Sequence, residues 1–203
     1  MDLRSLVNQR TERYNTDKDT SHSYIEVYDD VWEYVIADIY EQETFDVLEI
    51  GVNGGGSIKL WQDYIDENVL GSHAKDPTPQ IDGLELLEND KLHELNKIDN
   101  INIRMNIDAY VDDTVKSFGD KKYDIIIDDG SHQPHHQIFA INKYFPLLKP
   151  QGVMVVEDVQ SPQALAAIMQ YVELPSSARV VIYDLRHIKN RYDDIMIVIY
   201  KGK

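Results

Sequence analysis

Two spacings of apolar residues divide this chain. Ile25, Val27, Tyr28, Val31, Trp32, Val35, Ile36 and Ile39 recur at helical intervals and predict an amphipathic helix over 24–40. From residue 45 onward, short near-continuous apolar runs alternate with helical patterns. The runs 45–50, 81–86, 101–105, 123–128 and 152–157 read as strands. The stretches 57–64, 89–98, 109–118, 135–148 and 162–172 read as helices, the fourth stopped by Pro150. Strands without strict alternation are expected where both faces of a parallel sheet are covered. The stretch 70–79, with Pro77 and Pro79, reads as a loop.

The last two runs, 179–185 and 194–200, are joined by a polar connection too short for a crossover helix. Parallel neighbours need a dozen or more connecting residues, so this pair is expected to be antiparallel. The predicted fold is α/β: a Rossmann-like sandwich with a mostly parallel seven-stranded sheet, a C-terminal antiparallel hairpin and helices on both faces. No repeat or linker interrupts it. One domain over 1–203 is expected, with a helical N-terminal segment at 1–44 and the core at 45–203.

Composition narrows the function by exclusion. The chain has 203 residues, 20 basic and 36 acidic, for a formal net charge of -16. That balance argues against a nucleic-acid partner, which selects for a basic footprint. There is no cysteine, so disulfides and thiolate metal sites are excluded. Residues 1–10 lack the apolar core of a signal peptide and no run is long enough to span a membrane. A cytoplasmic protein with no membrane partner is expected.

Candidate chemistry sits where the strands stop. Asp128-Asp129-Gly130-Ser131-His132 ends one run and Glu157-Asp158 ends another. Ligands of open parallel sheets bind beyond the carboxyl ends of the strands, so these side chains are expected at one edge. Crowded carboxylates repel, and the usual remedies are a cation or an added proton; here they point to a metal-dependent site. Oxygen donors suit magnesium, manganese or calcium. Asp128 taken alone is equally an ordinary strand-end or capping acid. His135 and His136 are expected at a helix start beside Pro134, one exposed and one capping or lining the site, in preference to a histidine-based zinc or iron site with Asp129. Tyr24, Tyr28, Trp32 and Trp61 are expected to pack rather than to recognise a ligand.

The turn after the first strand is rich in glycine. A dinucleotide fingerprint needs glycine at its third place, which here is Asn53. The run Glu49-Ile50-Gly51-Val52-Asn53-Gly54-Gly55-Gly56-Ser57 instead resembles the first motif of class I S-adenosylmethionine-dependent methyltransferases. The resemblance implies that Glu49 helps hold the methionine end of the cofactor, with Gly51, Asn53, Gly54, Gly55 and Ser57 beneath it. It implies that Glu85 takes the ribose hydroxyls and that Asp108 lies near the adenine. Asp128 is grouped with this cofactor side.

The acids and histidine after the fourth and fifth strands resemble a narrower group, the macrocin-type and mycinamicin-type sugar O-methyltransferases, which use magnesium. That resemblance implies Asp129, Glu157 and Asp158 as ligands of Mg2+ or Mn2+, with His132 as general base and Asp129 beside it in the catalytic set. The acceptor is then expected to be a hydroxyl of a sugar or glycosylated small molecule, and a homo-oligomer is allowed. A catechol-type enzyme acting on an aromatic diol, a non-catalytic binding protein of the same fold and a nicotinamide oxidoreductase are the alternatives. The Asn53 break counts against the last of these. The segment 16–24, with Thr16-Asp17-Lys18 ahead of His22 and Tyr24, resembles a segment that precedes the core in related bacterial enzymes, and a lid over the active site is expected of it.

Overall fold

The computed structural model describes residues 1–37, 44–69 and 78–202, those at 10–13 by backbone only. Among the described residues, three helices, α1 (Leu3–Tyr14), α2 (Asp17–Thr20) and α3 (Ile25–Ile36), precede the sheet. There follow β1 (Thr44–Ile50), α4 (Gly56–Asn68), β2 (Thr78–Leu84), α5 (Asp90–Leu95), β3 (Ile101–Arg104), α6 (Asp112–Lys116) and β4 (Tyr123–Asp128). The chain continues through α7 (Pro134–Tyr144), a 3-10 turn at Phe145–Leu147, β5 (Leu148–Val156), α8 (Pro162–Tyr171), β6 (Arg179–Asp184), α9 (Arg186–Lys189) and β7 (Ile195–Tyr200).

The strands form one 7-stranded sheet in the order β3-β2-β1-β4-β5-β7-β6. β1 to β5 are parallel, and β7 runs antiparallel between β5 and β6. The expected architecture is present, with the closing hairpin inserted so that its second strand, not its first, meets β5. The connection between β6 and β7 carries the single-turn α9.

Strand alternation assigns the core to two layers. Val47, Ile81, Ile125, Ile127, Val153 and Val155 face α1, α3, α4 and α5. Leu48, Ile50, Ile126, Met154 and Val156 face α7 and α8. The chain leaves β1 toward β2 on one side and returns to β4 on the other, so the switch point lies between the ends of β1 and β4. Backbone approach is close there. A Cβ on Gly51, whose φ is +84, would overlap the Asp129 carbonyl.

Several elements differ from the expectation. Within the helical segment expected over 1–44, α1 had not been delimited: Leu3, Leu6, Val7 and Tyr14 are buried in the core and the Asp2 side chain caps the helix at the Ser5 N–H. Its end seats on the start of α4, where a Cβ on Gly56 would overlap the Tyr14 carbonyl. So one glycine of the triplet serves helix packing. The helix expected over 24–40 ends at Ile36, and Ile39 and Tyr40 lie outside the described residues. Most of the loop expected over 70–79 does too, and β2 begins at Thr78. The helix expected over 109–118 forms only at Asp112–Lys116. The helix expected over 135–148 stops at Tyr144, and β5 starts at Leu148, ahead of Pro150, in a stretch where its register against β4 shifts. Proline lacks the N–H of a regular ladder and is tolerated at such an irregularity.

Candidate active site

A cavity of about 590 Å³ opens at the carboxyl edge of the sheet, over the switch point. Gly51, Asn53, Gly54, Ser57, Glu85, Asp108, Asp129, His132 and Asp158 of the expected site line it. Non-glycine residues with positive φ gather in the turns that form its floor: Asn53 after β1, Asn106 after β3, His132 after β4 and Asp158 after β5. Such conformations cost free energy and persist where the surrounding fold holds them, commonly at sites of function.

On the β1–β3 side the cavity is open and its polar groups are backbone-rich. Glu85, just past β2, accepts the Asn53 N–H at 2.7 Å and the Leu87 N–H at 3.1 Å. Its carboxylate is thus held in place facing the cavity, with lone pairs left for hydroxyl donors. Asp108 accepts the Tyr110 N–H at 2.8 Å. Leu86 and Leu87, 63% and 70% exposed, supply apolar wall. Tyr110 stacks on His136, with ring centroids 4.2 Å apart, and both line the cavity. His135 is exposed at the start of α7, as expected of that pair.

Three sequence-predicted cofactor residues lie elsewhere. Glu49 is fully buried, accepts the Trp61 indole N–H at 2.8 Å and does not line the cavity. Alternation explains it: Glu49 follows Val47 on the face covered by α1, α3 and α4. Burial pushes its carboxyl up to about 7, against the pull of Lys18. Gly55 also lies off the cavity, with φ +77 and its Cα turned toward Leu92 and Leu95 of α5. Asp128 is buried on the opposite face, where it accepts the Tyr110 hydroxyl at 2.8 Å and leaves its second oxygen unpartnered. Burial pushes it up to about 7 as well.

On the β4–β5 side the acids are packed. Asp129, His132 and Asp158 bring potential ligand atoms within 4.8 Å of one another. Glu157, expected in this set, stands outside it. Its Oε1 takes the Lys18 ammonium at 2.6 Å and also accepts the Tyr28 hydroxyl. Alternation again decides this, since Glu157 continues the Val153–Val155 face toward the N-terminal helices. Lys18, named in the sequence only as part of the 16–24 segment, had no role of its own assigned there. It is wholly buried, 2.7 Å from Asp129 Oδ2 and 3.8 Å from Glu49. Burial pulls its pKa down, but Asp129, Glu157 and Glu49 outweigh it and hold the ammonium well above the ordinary lysine value. Tyr24 donates to Asp158 at 2.5 Å, and His22 Nδ1 lies 3.2 Å from the same carboxylate and 2.9 Å from Asp194. Asn15, Thr16 and Asp17 form part of the cavity wall.

The edge remains short of positive charge. Burial first, then Asp129, drives Glu157 well above the usual carboxylate range, and burial raises Asp158 despite the Tyr24 hydrogen bond. The carboxylates of Asp129 and Asp158, with His132 beside them and acids held in so unfavourable a state behind, fit a divalent cation.

This sheet order, with its glycine turn after β1, an acid after β2 and a cavity at the switch point, defines a class I S-adenosylmethionine-dependent methyltransferase fold. The chain belongs to the methyltransferase-domain family, whose sequence profile it matches over residues 48–159. Among curated proteins it is similar to mycinamicin VI 2''-O-methyltransferase of Micromonospora griseorubida, 32% identical over 127 residues, covering 59% of this chain and 28% of that one. It is similar also to demethylmacrocin O-methyltransferase of Streptomyces fradiae, 30% identical over 162 residues, covering 75% and 36%. The chain therefore spans about a third of the length of these relatives. Among solved structures, the MycE methyltransferase of the mycinamycin pathway, in complex with Mg, SAH and mycinamycin VI, superposes with a TM-score of 0.68 at 23% identity, over 100% of this chain and 55% of that one. Among the described residues no helix is long and apolar enough to cross a membrane.

Proposed function

We propose that this chain is a single methyltransferase domain that transfers a methyl group from S-adenosylmethionine to a hydroxyl of a sugar or glycosylated small molecule, with a divalent cation bound at the acidic edge. The observation that carries the reading is that one cavity joins the Glu85 side to the cluster of Asp129, His132 and Asp158. The relatives named above are O-methyltransferases by their names, one of them acting on mycinamicin VI at a 2'' oxygen, which supports an oxygen as the acceptor atom.

The residues divide the work. Glu85 accepts the paired hydroxyls of a ribose, and the cavity wall of Leu86, Leu87 and Tyr110 takes the adenine. Gly54, where an added Cβ would meet nothing, keeps the floor open under the methionine end. Asp129 and Asp158 hold the cation, which when bound supplies charge that lowers the pKa of an acceptor hydroxyl, while the cofactor supplies the electrophilic methyl group. His132, with Nε2 3.6 Å from Asp158 Oδ2, takes the hydroxyl proton at an imidazole nitrogen. Asp158 stabilises the imidazolium so formed. Asp128 and Glu49 lie behind the site and set its shape.

The test is methyl transfer from labelled S-adenosylmethionine to a panel of macrolide and rhamnosyl glycosides beside a panel of catechols, each with EDTA and with magnesium restored. Transfer to glycosides that EDTA abolishes is expected. Transfer to catechols alone overturns the acceptor class, and transfer in chelator-treated protein overturns the cation.

A further inference from the structure

Resting on the proposed reading of the carboxyl edge as a cation site, one residue from far upstream has a definable part in it. Lys18 lies on α2, a single turn capped by Thr16 and pinned at its far side, where the Tyr24 N–H donates to the Lys18 carbonyl at 3.0 Å. Its ammonium is 0% exposed and spans Asp129 Oδ2 at 2.7 Å and Glu157 Oε1 at 2.6 Å. The Tyr28 hydroxyl donates to the same Glu157 oxygen, and the Lys18 ammonium lies 5.8 Å from the centroid of the Tyr28 ring. Residues 16–28 thus form a packed inner wall rather than a loose cover. They supply a fixed positive charge where the resemblance would put a metal between Asp129 and Glu157.

We propose that Lys18 is a resident cation and positioning residue of this edge. It ties Glu157 to Asp129, so that an incoming divalent cation is held by Asp129 and Asp158 without Glu157 and meets one negative charge fewer. Charges a few ångströms apart in a buried setting interact strongly. The lysine therefore weakens cation binding while it fixes the geometry of the acids. The weaker, partly filled coordination leaves room for acceptor oxygens, which suits a magnesium-type ion that keeps exchangeable positions.

The test titrates Mn2+ calorimetrically into the full chain with SAH present. Lys18→Met keeps the stem and removes the charge. It is expected to bind Mn2+ roughly tenfold or more tightly than wild type, because a repulsive charge is gone and Glu157 is released. Lys18→Met/Glu157→Gln removes the pair without changing net charge and is expected to return to within about threefold of wild type. Lys18→Arg keeps the charge and is the variant to use where the neutral one does not fold; it is expected to stay within about threefold. A purely structural role predicts a lower Tm with no tightening. A Lys18→Met protein that binds Mn2+ no more tightly than wild type overturns the proposal. So does Lys18→Arg that binds much more tightly, or a double variant roughly tenfold weaker than wild type, which would make Glu157 a ligand. Failure of the underlying reading has its own signature, wild-type protein that binds SAH but no Mn2+. In that case a gain of Mn2+ binding in Lys18→Met still supports the role of Lys18, and no gain overturns it.

Discussion

Both edges of the sheet carry buried acids, and they are treated differently. On the amino side, Lys149 lies 2.7 Å from Asp124 and 3.0 Å from Asp46, and Lys121 lies 2.7 Å from Asp82. Tyr123 donates to Asp82 at 2.5 Å and the Asp46 N–H donates to Asp124 at 2.7 Å. Lysines, hydroxyls and backbone there meet the acids closely, and the lysines reach them from the surface. On the carboxyl side, Glu49, Asp129 and Glu157 crowd around the buried Lys18, Asp158 and Asp128 follow the same strand ends, and the pull of burial on several of these acids goes uncompensated. Acids alone do not mark a site. A surplus of acids over their partners, held against burial by the fold, does.

The widest gap between the edges is expected in catalysis. His132→Gln is expected to cut turnover on the order of 10²–10⁴-fold, the worth of a positioned acid–base group, with SAH and Mn2+ affinities nearly unchanged. Loss of Mn2+ affinity in step with rate would make His132 a ligand, and a variant as fast as wild type would remove it from both roles. Asp82→Asn, on the amino side, is expected to lower Tm and leave the rate of folded protein alone.

The cofactor side comes next. Glu85→Ala is expected to weaken S-adenosylmethionine binding by about one to two orders of magnitude, from roughly 1.5–3 kcal/mol for hydrogen bonds to a charged group. Unchanged affinity by calorimetry in a folded variant would take Glu85 out of the site.

The third effect is on stability and not on rate or binding. Burial raises Glu49 from 4.5 to about 7, so between those values the folded chain binds more protons than the unfolded one. Stability contributed by this group is then greatest below about 4.5 and falls as pH rises toward 7, by about 3 kcal/mol. Denaturant titrations from pH 5 to 8 are expected to show that fall in wild type and a flatter profile in Glu49→Gln. Equal slopes would mean that Glu49 is not the group responsible. On the amino side Lys149 opposes burial at Asp124, and Asp124→Asn is expected to change the slope less.

Much of this was legible in the chain. Near-continuous apolar runs declare a sheet covered on both faces, and the short polar link before residue 195 declares an antiparallel close. Glu85 and Asp108 were readable because their places depend on local order: a strand ends, the chain turns, and an acid follows. α1 left a fainter signal, with Leu3, Leu6, Val7 and Tyr14 spaced for a helix and Asp2 ahead as a cap, in a stretch otherwise polar. Tyr24 and Tyr28 were readable as buried packing, but not their hydroxyls, which end on Asp158 and Glu157.

What the sequence by itself determined is the layered sheet, the carboxyl edge as the place for chemistry, and the residue types gathered there. Those follow from period and strand ends, which are local properties of the chain. Only the tertiary structure decided which acids face the cavity and which are spent on partners. Glu49 and Asp128 sit on neighbouring strands one residue out of register, and so point into opposite layers. Glu157 meets a lysine 139 residues upstream. Pairings at that separation depend on how helices pack across the sheet face, and burial converts them from weak surface contacts into the dominant electrostatic fact of the site.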